Sequence, residues 1–221
     1  MRTTAQTRRR QMDRALRWSL LLFFGFLVVT QQVLTNGPLV AYDEEINSQP
    51  KPQFEGLAGF LLRRLDDLGL RGLTAAVLLI AASFIAYKFK TWRPLNLAIL
   101  SLLALNLTVG LAKLLIGRTK PQLNVDLIYA GGLSYPSGHA SNALLSWGVL
   151  AYLIYRYAHV DRYRGRLAST GVALISLSVC VVSLFRNTHW LSDLVGGLFI
   201  GAALLVMVIA VDRFVPSNSQ L

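Results

Sequence analysis

The chain has 221 residues, 54% hydrophobic and only 15% charged, against roughly 25% charged in soluble domains. That balance excludes an ordinary water-soluble globule and makes lipid the expected solvent. A net charge of +11 would suit nucleic acid if the basic residues formed one patch, but they are spread over separate segments, so no nucleic-acid partner is expected.

Six stretches lack Asp, Glu, Lys and Arg: 18–42, 72–87, 94–112, 127–155, 167–185 and 194–211. Most approach the roughly 20 residues that a spanning helix needs. Backbone polar groups in hydrocarbon must be satisfied within their own segment, so these runs are expected to be helices. The predicted fold class is an all-α membrane protein with six transmembrane helices, over about 18–35, 72–89, 94–116, 139–157, 167–187 and 190–211, in one domain spanning 18–213.

Residues 1–17 read as a basic tail. Arg2, Arg8, Arg9, Arg10, Arg14 and Arg17 precede the first span, and the positive-inside rule then sets the N-terminus in the cytoplasm. A retained anchor is expected, not a cleaved signal, because no small-residue cleavage site follows Leu34 convincingly. Between Asn36 and Arg71 lie Asp43, Glu44, Glu45, Glu55, Asp66 and Asp67, six of the chain's eleven acids, so this segment is predicted outside. Within it, Phe54–Leu70 carries Leu57, Phe60, Leu61, Leu65 and Leu68 near helical spacing, which predicts an amphipathic helix along the interface. Lys88, Lys90 and Arg93, then Arg156, Arg162, Arg164 and Arg166 around the loop of His159, fall inside on the same count, as does a short tail at 214–221. Cys180, the single cysteine, is read as packing. Gly197 and Gly201 have the spacing of a close helix contact.

Three clusters fall at the outer face: Lys113 to Pro121, Pro136 to His139, and Arg186 to Asp193. Lys113, Arg118 and Lys120 put positive charge where topology disfavours it, which suits anion binding, although a lone lysine near a helix end commonly snorkels. Ser137 before an apolar run reads equally as a helix cap. His189 and Asp193 are four apart and share a helical face. A carboxylate on one ring nitrogen fixes the tautomer and frees the other as a nucleophile, while a purely structural bond at a helix start is the competing reading.

Together the clusters resemble the type-2 phosphatidic acid phosphatase superfamily, whose signatures are Lys-x6-Arg-Pro, Pro-Ser-Gly-His and Ser-Arg-x5-His-x3-Asp. Here they read Lys113-LLIGRT-Lys120-Pro121, Pro136-Ser137-Gly138-His139 and Val182-Ser183-LFRNT-His189-WLS-Asp193. Two positions depart. Lys120 stands for the family arginine of the first signature, a point charge in place of a planar fork. Ser183 stands for that of the third, with Arg186 one turn further along.

The resemblance implies hydrolysis of a lipid phosphate without metal or cofactor. His189 would attack phosphorus with Asp193 behind it, His139 would protonate the leaving group, and a phosphohistidine would then be hydrolysed. Lys113, Arg118, Lys120, Ser137, Gly138 and Arg186 would bind phosphate. The partner implied is a phosphorylated membrane lipid, among them phosphatidic acid, phosphatidylglycerol phosphate and polyprenyl-linked phosphates, with the site on the extracytoplasmic side of a plasma membrane. A weakly catalytic lipid-binding or lipid-moving relative and a lipid phosphotransferase are the alternatives. A channel or transporter is disfavoured because the midspan regions lack charge.

Overall fold

The computed structural model describes residues 4–158 and 160–215. Arg2, His159 and positions 216–221 of the expected C-terminal tail lie outside the described residues. Those described form eight α-helices and one short 3-10 turn: α1 (Thr4–Leu34), α2 (Pro38–Ser48), α3 (Gly56–Asp67), α4 (Arg71–Lys88), α5 (Arg93–Ile116), the turn Pro121–Leu123, α6 (Gly138–Tyr157), α7 (Arg162–Phe185) and α8 (Leu191–Phe214). The protein is an all-α membrane protein. Five helices, α1, α4, α5, α7 and α8, are long and apolar enough to cross a bilayer. Large apolar side chains such as Phe24, Ile80 and Leu114 stand exposed on them, an arrangement that fits hydrocarbon and not water.

The 20-residue α6 falls outside that group of five because its composition is less apolar, and its place in the bundle explains why that is tolerated. It packs against α4, α5, α7 and α8, so it meets protein on most sides and tolerates small polar residues. Ser141 donates to the Ser137 carbonyl at 2.9 Å and Asn142 Nδ2 to the Gly138 carbonyl at 2.7 Å. Back-bonding of this kind satisfies the side chains inside the bundle. The Gly197/Gly201 spacing brings α8 onto α6. A Cβ on Gly197 would lie 2.6 Å from the Ser137 carbonyl oxygen, and one on Gly201 3.1 Å from that of Ser141. Cys180 is buried and unpaired.

α1 starts well before its apolar run. Its early residues, rich in Arg, Gln, Ala and Leu, are good helix formers, so the basic segment continues the span as one helix. Helix α3 falls within the predicted amphipathic stretch. Leu57, Phe60, Leu61 and Leu65 are exposed while Asp66 is buried, so its apolar face looks outward and a carboxylate faces the protein. Helix α2 was not foreseen. It packs on α8 and turns Asp43 inward.

Candidate active site

The start of α6, the start of α8 and the loop after α5 meet at one end of the bundle. Asp193 occupies the third position of α8, where its carboxylate accepts the Trp190 amide at 3.0 Å and so caps the start of the helix. From there it also accepts Arg118 Nη1 at 2.9 Å, a short bond from Ser134 Oγ, and His189 Nδ1 at 3.3 Å. The helix cap and the imidazole partner are therefore one carboxylate. With Nδ1 turned to Asp193, His189 keeps Nε2 for the pocket. The His139 ring lies 6.0 Å from that of His189, centroid to centroid, at an interplanar angle of 59°. His189 is 6% exposed and Asp193 fully buried.

Ser137 ties the two helices together. Its amide donates to the Asp193 carbonyl at 2.8 Å, and its Oγ caps α6 by accepting the Ala140 amide at 3.3 Å. The amides of Gly138 and His139 remain at the open helix end, where the peptide dipoles favour an anion. Lys113 comes from the last turn of α5. Its ammonium donates to the Leu133 carbonyl and, at 3.3 Å, to that of Ser134, which leaves one of three donors uncommitted. A Cβ on Gly138 would lie 3.9 Å from Lys113 Cε, so the two are neighbours. Lys120 is exposed. Lys113, Lys120, Asp66 and His189 all lie within Coulombic reach of His139.

Arg118 differs from the expectation that it binds phosphate. Its side chain is fully buried and all five N–H donors are engaged: Nε and Nη2 on Asp126 at 2.8 and 2.5 Å, Nη2 also on Asp43 at 2.8 Å, and Nη1 on Ser192 at 2.6 Å and Asp193 at 2.9 Å. No donor is left for a ligand. The guanidinium also lies 5.2 Å from the Trp190 ring centroid, and Trp190 Nε1 donates to the Thr119 carbonyl at 2.9 Å. Arg118 therefore stands behind Asp193, where it orders the carboxylate.

Arg186 caps α7 and pairs with Asp66 of α3, whose other oxygen accepts Ser183 Oγ at 3.1 Å. The position lacking the family arginine thus binds a carboxylate from a different helix. Sequence reasoning missed Asp43, Asp66, Asp126, Ser134 and Ser192. Only Ser192, beside Asp193 at a helix start, carried a local signal. Asp43 accepts the Ser192 amide at 2.8 Å and its hydroxyl at 2.5 Å; burial pushes its carboxyl up from the usual range, against the opposing pull of Ser192 and Arg118. Asn142, one turn after His139, is buried with its Oδ1 unpartnered.

The chain is 24% identical over 202 residues to phosphatidylglycerophosphatase B of Bacillus subtilis (strain 168), an alignment covering 90% of this chain and 97% of that protein. Its fold is similar to that of the crystal structure of a transmembrane PAP2-type phosphatidylglycerolphosphate phosphatase from Bacillus subtilis, with a TM-score of 0.75, 21% identity, and coverage of 91% of this chain and 98% of the other. The sequence profile of the PAP2 superfamily matches residues 94–215, the stretch that supplies both imidazoles, Lys113 and Asp193, and the chain belongs to that superfamily.

Proposed function

We propose that the protein hydrolyses a phosphate ester of a membrane lipid through a phosphohistidine on His189. The observation that carries this reading is the pair of imidazoles at 6.0 Å, one of them held by Asp193. That spacing accommodates one phosphoryl group, with reacting atoms about 3–3.5 Å apart. His189 Nε2 forms a bond to phosphorus as the phosphorus–oxygen bond to the lipid breaks, and the departing oxygen takes a proton from His139. Water then gives a proton to His139 and attacks phosphorus, the P–N bond breaks, and inorganic phosphate leaves. Phosphoryl transfer needs positioning and positive charge more than covalent help. Lys113, Lys120, Arg186 and the amides at Gly138 and His139 supply these, with Ser137 shaping the turn and Arg118 steadying Asp193.

The names of the two relatives support phosphatidylglycerol phosphate as the first substrate to assay. The six-span reading takes α6 as a span surrounded by protein, with α3 lying on the membrane surface and the imidazoles opening to the extracytoplasmic side. The outward apolar face of α3 and the arginine-rich opposite end support that orientation. The test is phosphate release in detergent with chelator present. His189→Ala is expected to lower turnover by on the order of 10⁴ or more while the protein stays folded, as loss of a nucleophile does; substantial residual hydrolysis would sink the assignment. His139→Ala is expected to spare esters whose leaving group departs without a proton, and equal damage across leaving groups would remove it from the acid role.

A further inference from the structure

We infer that the end of the bundle opposite the imidazoles carries a groove for an anionic phospholipid, its phosphate on Arg162, Arg166 and Arg213 and its acyl chains along α6, α7 and α8. Helix α7 leans on α6 and scarcely touches α8, which leaves a groove of about 720 Å³ between them. Its walls are apolar, with Leu144, Val172, Leu205 and Ile209 among them, and the three arginines gather at one end.

The place of the arginines, beside apolar walls and free of carboxylates, separates this groove from a merely basic surface. At the same end Arg93 and Arg156 bind Asp212, and Arg164 lies 3.4 Å from Asp161. Among the described residues no carboxylate pairs with Arg162, Arg166 or Arg213; the Arg213 guanidinium lies 5.6 Å from the Tyr152 ring centroid. Among the described residues Lys88, Lys90 and the arginines of early α1 also pair with no carboxylate, but Arg162, Arg166 and Arg213 are the ones that line the apolar groove. Cations at one end and hydrocarbon walls beyond complement an amphiphile with an anionic head. A soluble anion would leave the walls uncovered, and a phosphocholine head brings its own cation to the arginines. The occupant is not the substrate, because the 20-residue α6, at 1.5 Å per residue, puts about 30 Å between its two ends. Seated between α7 and α8, the lipid closes a gap that protein leaves open.

The experiment is native mass spectrometry of the purified full chain with phosphatidylglycerol or phosphatidylcholine of identical acyl chains. One phosphatidylglycerol is expected to survive activation that strips phosphatidylcholine. The R162Q/R166Q/R213Q variant is expected to lower its retention on the order of a hundredfold, the factor that three head-group contacts carry. Ala173→Trp fills the groove with the arginines intact and is expected to displace the lipid as well, whereas the charge-matched K88Q/K90Q/R164Q variant retains it. Equal retention of both lipids, equal loss in the charge-matched variant, or phosphatidylglycerol undisturbed by both groove variants, as for lipid captured at the imidazole end, would each overturn the proposal.

Discussion

The two ends of the bundle hold buried charge networks built as opposites. At one end a single cation, Arg118, is ringed by Asp43, Asp126 and Asp193. At the other a single carboxylate, Asp212, accepts Arg93 at 2.6 Å, a short bond from Arg156 and the Tyr152 hydroxyl at 2.6 Å. Each network staples helices distant in sequence, so a buried ion pair at a helix end is not by itself a mark of function. Only the Arg118 network hands one of its carboxylates to an imidazole with a second imidazole nearby. The difference lies in what the network leaves available: His189 Nε2, a Lys113 donor and open helix amides on one side, and a closed clamp on the other.

Substitutions that separate support of chemistry from support of the fold test that comparison. The largest effect is expected for Asp193→Asn, which keeps the shape but disturbs the His189 tautomer. By the precedent of triad carboxylates, kcat should fall by about 10³–10⁴, and a fall of less than tenfold would make the His189–Asp193 bond merely structural. Arg118→Gln should follow, because it strands the buried carboxylates of Asp43 and Asp193 and the partly buried one of Asp126. Removing one partner of a buried pair costs about 3–5 kcal/mol, so both thermal midpoint and kcat should drop. Asp212→Asn should lower the midpoint by a similar amount with kcat of the folded fraction unchanged; a loss of kcat matching that of Arg118→Gln would erase the distinction between the ends. The smallest effect is expected for Asp66→Asn, which frees Arg186 from its steering partner. KM should rise roughly tenfold with kcat little altered, the pattern of lost binding energy, and Asp66→Glu should recover it. A loss confined to kcat would argue for an effect through His139 instead.

The helical class and the convergence of three clusters on one face were legible before any coordinates, because both rest on local signals: runs free of charge, and residues four apart on a helix. Gly197 and Gly201 likewise announced a close contact. The inner position of α6 was not legible, since Ser141, Asn142 and Ser146 give it an ordinary polarity whose meaning depends on what surrounds it. Nor was α2, whose Pro38 start and mixed composition resemble a loop. Arg118 was the residue sequence reasoning misjudged: basic charge beside a candidate phosphate site looks the same whether its donors are open or committed.

The sequence alone determined the solvent, the helical class and the chemistry-bearing residue types, because run length, charge density and spacing are properties of neighbouring positions. Only the tertiary structure decided which cation serves a ligand and which serves a carboxylate. Arg118 and Asp43 are 75 positions apart, and Asp66 reaches Arg186 across 120. Pairs that distant leave no periodic trace in the chain, so their partnership exists only where packing brings the helices together.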